Sequence, residues 1–313
     1  MRRYIVTGAA GFFGGNLTER LVRETDAHVY AVVRPNSTHN VRLTPSERLT
    51  VVPVDLSAYA QLDAIIPAPC DVFFHLAWQG GRDDFAAQYR NIAHTLDALE
   101  AAARLGCRRF IATGSQAEYG VTLERVRGGE FPDGAFDETT PCRPISEYGR
   151  AKLAFSERGR DIAARLGADY RHLRIFSVYG PGDHETAIVP TAVKAAAAGE
   201  EVRFGPCAQQ WNFLALRDAV RALRLLGEAE RSMQGEIFNV ASLDTRSLRC
   251  FVEEIFKTAG QPAALAHFEP RETGPEGTPY LAPNISKLLR SIDWTPEISF
   301  GAGIKVLLSA TTN

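Results

Sequence analysis

The chain has 313 residues, of which 45% are hydrophobic and 23% charged, and its formal net charge is −2. A nearly balanced charge gives no general attraction to nucleic acid or to an anionic membrane, and no run of about eighteen apolar residues predicts a membrane span. The five cysteines are scattered and odd in number, which suggests neither a disulfide framework nor a metal site. We therefore expect a cytoplasmic protein with reduced thiols, no metal, and no nucleic-acid or membrane partner.

A strand, a glycine-rich turn and a helix are predicted at the start of the chain. Glycines let the backbone turn tightly and approach a pyrophosphate, whose charge then lies at the helix N-terminus among free N–H groups. The order strand, turn, helix favours a dinucleotide site over a plain structural turn. The cofactor-binding residues predicted here are Gly8, Gly11, Phe12, Phe13 and Gly14.

The second predicted strand, 28–33, ends at Arg34, with Ser37 three residues further on. In a doubly wound fold this strand end holds the adenine ribose, where an acidic side chain selects NAD and an arginine accommodates the 2′-phosphate of NADP. Because no Asp or Glu stands here, the sequence favours NADP(H) bound by Arg34 and Ser37, with NAD still possible. An arginine that is merely exposed in a loop is the alternative.

The ends of the next two predicted strands supply further cofactor contacts. Asp55 and Leu56 follow the third strand, and Asp55 could accept a hydrogen bond from the adenine amino group or cap the following helix. The fourth strand, 71–77, is almost continuously apolar, as in a parallel strand buried on both faces. We expect Leu76 and Ala77 at its end to pack on the cofactor, and interpret His75 as a core histidine.

Two later segments carry the candidate catalytic groups. Ser115 stands at the carboxyl end of the fifth strand, where open α/β sheets bind ligands. Tyr148 and Lys152 stand at i and i+4 of a predicted helix and therefore share one face. A cation near a phenol favours the phenolate, which suits a tyrosine for proton transfer. The alternative is that the pair lies on a solvated helix face. Between these segments, residues 121–144 are predicted to form a surface loop, a lid or a specificity loop.

With these features together, the chain resembles the extended short-chain dehydrogenase/reductases, especially the nucleotide-sugar epimerase, dehydratase and ketoreductase branch. The motifs that carry the resemblance are T-G-x-x-G-x-x-G at 7–14, H-x-A at 75–77, R-x-x-x-V-Y-G-P-G at 174–182 and S-I-D-W-T-P at 291–296. The resemblance implies an α/β fold: a Rossmann-type doubly wound parallel sheet with a smaller, discontinuous C-terminal lobe. The corresponding domains are 1–176 plus 213–241 for NAD(P) and 177–212 plus 242–313 for the nucleotide sugar. A homodimer is the family expectation.

The resemblance also implies roles for particular residues. Tyr148 would be the acid/base, Lys152 would lower the pKa of Tyr148 and bind the nicotinamide ribose, and Ser115 would hydrogen-bond the reacting oxygen. Asn91 would support the site as a structural or relay residue. The residues expected to bind the nucleotide-diphosphate sugar are Trp78, Gln116, Ser177, Trp211 and Arg271.

Departures from the family pattern favour a subclass. The dehydratases place an Asp-Glu pair after the hydroxyl residue of the fifth strand, and this chain has Gln116 and Ala117 instead. Residues 209–214 and 114–120 look most like those of sugar C4-ketoreductases, and Arg34 agrees with a net reduction by NADPH. The leading interpretation is therefore reduction of an NDP-4-keto-6-deoxyhexose at C4. The alternative is an NDP-sugar 4-epimerase with tightly bound NAD. A non-catalytic NADP-binding protein is a weaker alternative, since it has no need of all three catalytic groups.

Overall fold

A parallel sheet forms the centre of the computed structural model, which describes residues 1–38, 40, 43–82, 84–131, 135–270, 272 and 276–311. Its strands in the described chain are β1 (Arg3–Thr7), β2 (His28–Val33), β3 (Leu49–Pro53), β4 (Val72–His75), β5 (Arg109–Ser115), β6 (Asp169–Ile175) and β10 (Glu236–Val240). Their order is β3-β2-β1-β4-β5-β6-β10, and every neighbouring pair is parallel. The strand order reverses between β1 and β4, where doubly wound folds bind their ligands.

Helices cover both faces of this sheet. Successive strand residues point to opposite faces: Tyr4 and Val6 pack on one side, and Ile5 packs on the other. The helices are α1 (Phe12–Glu24), α2 (Leu62–Ile65), α3 (Phe85–Arg104), α4 (Leu123–Arg127), α5 (Glu147–Leu166), α6 (Ile188–Ala198), α7 (Leu216–Glu228), α8 (Leu248–Thr258), α9 (Ser286–Ser291) and α10 (Phe300–Thr311). Helices α1 and α7 lie on the first face, and α3 and α5 on the second. The predicted doubly wound α/β class is confirmed.

A smaller lobe has its own sheets and core. Its strands are β7 (Ser177–Tyr179), β8 (Val202–Phe204), β9 (Gln210–Ala215), β11 (Thr245–Ser247) and β12 (Ala266–Phe268). They pair as a three-stranded sheet, β11-β9-β7, and a two-stranded sheet, β12-β8. Helices α6, α8 and α10 pack around the hydrophobic core of this lobe, which is separate from the cores on the two faces of the main sheet. Strand β9 crosses the domain boundary predicted at residue 213. No described helix combines the length and apolarity needed to cross a bilayer.

The segment 121–144 differs from the predicted surface loop. It contains α4, and Phe136 is only 3% exposed. The Phe136 ring packs 4.9 Å from the ring of Tyr119, and its backbone N–H donates to the carbonyl of Ala282 at 3.1 Å. The prediction of a surface loop was therefore wrong at Phe136. This aromatic side chain packs into the core although the residues on both sides of it are rich in glycine and proline.

Candidate active site

The glycine turn after β1 has the geometry that a pyrophosphate site needs. Gly8 adopts a φ of +66°, and its carbonyl accepts a hydrogen bond from Gly11 N–H at 2.9 Å. A Cβ atom on Gly14 would lie 2.1 Å from the Gly8 carbonyl oxygen, so only glycine lets α1 approach the strand so closely. The N-cap residue of α1 is Gly11, which has no side chain to cap the helix, and this leaves N–H groups at the helix start for an anion.

A cavity of about 230 Å³ lies beside this turn. Most of the predicted cofactor-binding residues line it: Gly8, Gly11, Arg34, Ser37, Asp55, Leu56, Leu76 and Ala77. Arg34 is exposed at its rim. The Asp55 carboxylate accepts from the backbone N–H and the hydroxyl of Ser57, so it caps the 3₁₀ helix Leu56–Gln61. These residues fit a dinucleotide whose diphosphate lies over the turn, because the N–H groups and the apolar walls are both present.

A second cavity, of about 280 Å³, holds the candidate catalytic groups. Residues that sequence reasoning assigned to catalysis, cofactor and substrate meet here: Phe13, Leu76, Trp78, Ser115, Gln116, Tyr148, Lys152 and Ser177. Leu76 and Trp78 line both cavities. The two cavities are therefore neighbouring parts of one crevice at the carboxyl ends of the parallel strands.

Lys152 is buried at the base of this second cavity, with a side chain held from two sides. Its Nζ donates to the Thr113 carbonyl at 2.7 Å and lies 3.6 Å from the centre of the Trp78 ring. The Trp78 indole N–H in turn donates to Gln88 at 2.7 Å. Burial lowers the pKa of the Lys152 ammonium to about 7, with the Glu118 carboxylate opposing the shift.

Tyr148 is half-buried and faces the same cavity as Ser115. Burial raises the pKa of the Tyr148 phenol, and its hydrogen bond with Ser115 offsets part of that rise. The Lys152 ammonium lies over Trp78, 5.9 Å from the centre of the Tyr148 ring, and the lowering of the Tyr148 pKa by Lys152 stays a prediction. The Ser115 Oγ accepts from Ala117 N–H at 3.2 Å, so its O–H can donate either to the Tyr148 oxygen or to a ligand in the cavity.

Two polar residues beside the site are structural in this arrangement. His75 lies between the hydroxyls of Thr7 and Thr95, at 3.0 and 3.1 Å. Burial lowers the pKa of His75 to about 3, so the ring is neutral, as a core histidine should be. Asn91 is buried and pairs with both backbone groups of Gln79, accepting from its N–H at 3.2 Å and donating to its carbonyl at 2.8 Å. It braces the loop that carries Trp78.

Some predicted residues are not brought to the cavity. Trp211 is not among the cavity-lining residues and packs between two cores, 6.1 Å from Phe213. Gly14 serves the packing of α1 and lines neither cavity, and Phe12 packs against the main core. Arg271 lies outside the described residues.

Sequence reasoning also missed two residues that hold the site. Gln88, which fixes the Trp78 indole, lies one helical turn before Asn91 on the buried polar face of α3. Glu118 stands three residues after Ser115, and the S-x-x-E spacing of a capping box was the available signal.

The proteins that are similar to this chain are consistent with the class that its fold and site suggest, a Rossmann-type, dinucleotide-dependent enzyme. A family model described as the NAD dependent epimerase/dehydratase family matches residues 4–241. The chain belongs to this family and is an oxidoreductase-type enzyme of the extended short-chain dehydrogenase/reductase group.

Individual relatives span nearly the full chain. The chain is 26% identical to an uncharacterized UDP-glucose epimerase, YtcB, of Bacillus subtilis (strain 168), over 96% of this chain and 95% of the relative. It is also 26% identical to the dTDP-6-deoxy-L-talose 4-dehydrogenase (NAD(P)(+)) of Kitasatospora kifunensis, over 98% and 95%. The UDP-glucuronic acid 4-epimerase of Bacillus cereus, solved with UDP-glucuronic acid and NAD, has the same fold, with a TM-score of 0.84, 22% identity and 99% coverage of both chains.

Proposed function

We propose that this enzyme oxidises and reduces the C4 position of a nucleotide-diphosphate sugar with NAD(P), and that its net reaction is 4-epimerisation. The observation that supports this most is the convergence of Ser115, Tyr148 and Lys152 on one cavity beside a dinucleotide-type glycine turn. When bound, NAD(P) supplies hydride transfer to and from the sugar carbon.

The side chains have separable roles in this proposal. The Tyr148 oxygen takes the proton of the C4 hydroxyl group during oxidation and returns a proton during reduction. The Ser115 hydroxyl donates a hydrogen bond to the same sugar oxygen. Lys152 supplies positive charge, which favours the phenolate form of Tyr148 when the ammonium approaches it. Gln116, Ser177 and Trp78 surround the sugar, and the wider small lobe, with Trp211 and Arg271 as further candidates, binds the nucleotide diphosphate.

Epimerisation has better support from the comparisons than net reduction, which was the leading interpretation from sequence. A relative named as a UDP-glucose epimerase and a 4-epimerase of the same fold both span the chain. The 4-ketoreductase remains the second candidate, because the Kitasatospora relative is a 4-dehydrogenase named for NAD(P)+. Arg34 at the rim of the adenine-side cavity agrees with NADP(H), although the solved neighbour binds NAD.

One experiment separates these possibilities. The purified enzyme is incubated without added cofactor with UDP-glucose, UDP-glucuronic acid, UDP-N-acetylglucosamine and dTDP-glucose, and the products are identified by NMR. A 4-epimer formed without cofactor, together with bound NAD released on denaturation, supports the epimerase. NADPH oxidation that requires a dTDP-4-keto-6-deoxy sugar supports the reductase instead. Turnover in neither assay would count against oxidoreduction at C4.

A further inference from the structure

Three ionisable side chains are buried directly beneath Ser115. Glu118 and His172 are fully buried, and Arg174 is 3% exposed. One oxygen of the Glu118 carboxylate lies 2.9 Å from His172 Nε2, and the other accepts from Arg174 Nε at 2.9 Å. These partners lower the pKa of the Glu118 carboxyl to about 2, even though burial alone would raise it. Glu118 is therefore ionised in the folded enzyme.

The backbone is shaped to admit this cluster. A Cβ atom on Gly114 would lie 2.1 Å from His172 Nε2 and 2.4 Å from the Glu118 oxygen, so residue 114 has to be glycine for the cluster to form. Burying ions does not by itself stabilise a fold, because desolvation offsets the attraction between them. The cluster lies against the catalytic strand end, which points to a role for it there.

The carboxylate reaches Ser115 through its backbone. Glu118 accepts a hydrogen bond from Ser115 N–H at 2.8 Å, and the Ser115 hydroxyl oxygen accepts from Ala117 N–H at 3.2 Å. This reciprocal capping box fixes both the backbone and the side chain of Ser115. The serine O–H then faces the cavity beside the Tyr148 phenol, where it can donate to a bound substrate oxygen.

We propose that Glu118, held by His172 and Arg174, is a positioning residue that keeps the Ser115 hydroxyl aimed at the reacting sugar oxygen. This inference rests on the proposed function, because it needs Ser115 to act on that oxygen. Glu118 contacts Ser115 through the backbone, and its negative charge also raises the pKa of the Tyr148 phenol and of the Lys152 ammonium.

The first test is the substitution Glu118→Gln. Glutamine offers one oxygen where glutamate offers two, so either Ser115 N–H or Arg174 Nε loses its acceptor. A misplaced catalytic group costs up to about 100-fold in rate, and we expect kcat to fall by about 10–100-fold with little change in KM. The assay uses the sugar nucleotide that turns over in the panel above. Amide exchange of the segment containing Ser115, measured without dinucleotide, should become faster.

A double-mutant cycle with Ser115→Ala decides the point. If Glu118 acts through Ser115, Glu118→Gln causes no further loss of kcat once Ser115 is alanine. An equal loss in both backgrounds would overturn the inference, as would full kcat and unchanged amide exchange in both Glu118→Gln and Glu118→Asp. If Ser115→Ala itself keeps full kcat, the proposed function fails instead. Should Glu118→Gln not fold, Glu118→Asp takes its place in the cycle, because its shorter side chain withdraws the acceptor from Ser115.

A matched control is available at another buried carboxylate. Asp218, on α7, accepts hydrogen bonds from the backbone N–H groups of Glu297 and Ile298, at 3.0 and 2.8 Å. Asp218→Asn should lower the melting temperature and leave the kcat of the folded enzyme and the exchange of the Ser115 segment unchanged. A loss of kcat in this variant equal to that in Glu118→Gln would show that general destabilisation explains both.

Discussion

At the scale of single residues, the site separates the charge of Lys152 from the phenol of Tyr148. The ammonium lies between the Thr113 carbonyl and the face of Trp78, an arrangement that combines a hydrogen bond with a cation–π contact. Tyr148 has Ser115 as its hydrogen-bonding neighbour in the cavity. A bound ligand whose hydroxyl groups contact both Lys152 and Tyr148 would therefore connect the two side chains.

Replacing Tyr148 with phenylalanine tests the acid/base assignment. The ring and its T-shaped contact with Trp78 remain, but the proton-transferring oxygen is lost, so turnover should fall by at least ~100-fold. The melting-temperature increase caused by NAD or NADP should persist. Tyr89→Phe on α3, where the tyrosine is 46% exposed, is the matched control and should keep full activity. Substantial turnover by Tyr148→Phe would refute the assignment.

The buried lysine predicts a particular pH dependence of stability. Because the Lys152 pKa falls from 10.5 in the unfolded chain to about 7 in the folded one, the unfolded state binds more protons between these values. Stability contributed by this residue should therefore rise with pH from about 7 to about 10. The melting temperature of the wild type minus that of Lys152→Met, measured without dinucleotide from pH 6.5 to 9.5, should increase. A flat difference would contradict the burial of a titrating ammonium.

At the scale of elements, the close contact of α1 with the turn after β1 shapes the cofactor site. Gly14→Ala forces a Cβ atom against the Gly8 carbonyl, and such overpacking costs about 1–3 kcal/mol. The neighbouring Gly15 is a natural control, because its Cβ would lie 3.6 Å from the nearest atom.

These two substitutions should separate packing from helix propensity. Gly14→Ala should lower the free energy of unfolding and abolish the thermal shift caused by the dinucleotide. Gly15→Ala should be neutral or stabilise by about 0.5–1 kcal/mol, since alanine favours the helix, and should keep the shift. If the two variants behaved alike in denaturant melts and in cofactor titrations, the close contact of residue 14 with Gly8 would not determine stability or cofactor binding.

The sequence predicts the parallel sheet and much of the crevice because strand ends gather at one edge. Ser115 and Leu76 stand at the carboxyl ends of two predicted strands. Because these ends lie at the same edge of a parallel sheet, the sequence alone predicts that the two residues are close. Phe136 could not be assigned to the core, since isolated aromatics in a glycine-rich segment carry no periodicity. In α3, apolar residues repeat at steps of three and four from Phe85 to Ala103, which predicts one apolar stripe without showing what covers it. The first two members of this repeat, Phe85 and Tyr89, are exposed.

At the scale of the whole molecule, the two lobes meet at the catalytic cavity. Thr113, Gly114 and Ser115 come from the main sheet, and Ser177 comes from β7, which belongs to the three-stranded sheet of the smaller lobe. A change in the position of the smaller lobe therefore moves Ser177, while Ser115 stays on the main sheet and Tyr148 and Lys152 stay on α5, which packs against that sheet. Substrate selection and catalysis are accordingly expected to be separable by mutation.

The homodimer stays a prediction, and α3 offers a direct way to test it. Phe85 and Tyr89 lie in the first turns of α3, a helix that packs against α5. Their rings are 4.6 Å apart, and the residues are 59% and 46% exposed. Joint substitution by serine should shift the sedimenting species from dimer to monomer, because paired exposed aromatics supply apolar contact area. Leu243→Ser, at a leucine 64% exposed elsewhere on the surface, should leave the dimer intact. A monomeric wild type, or a double variant that still sediments as a dimer, would exclude this face as the interface.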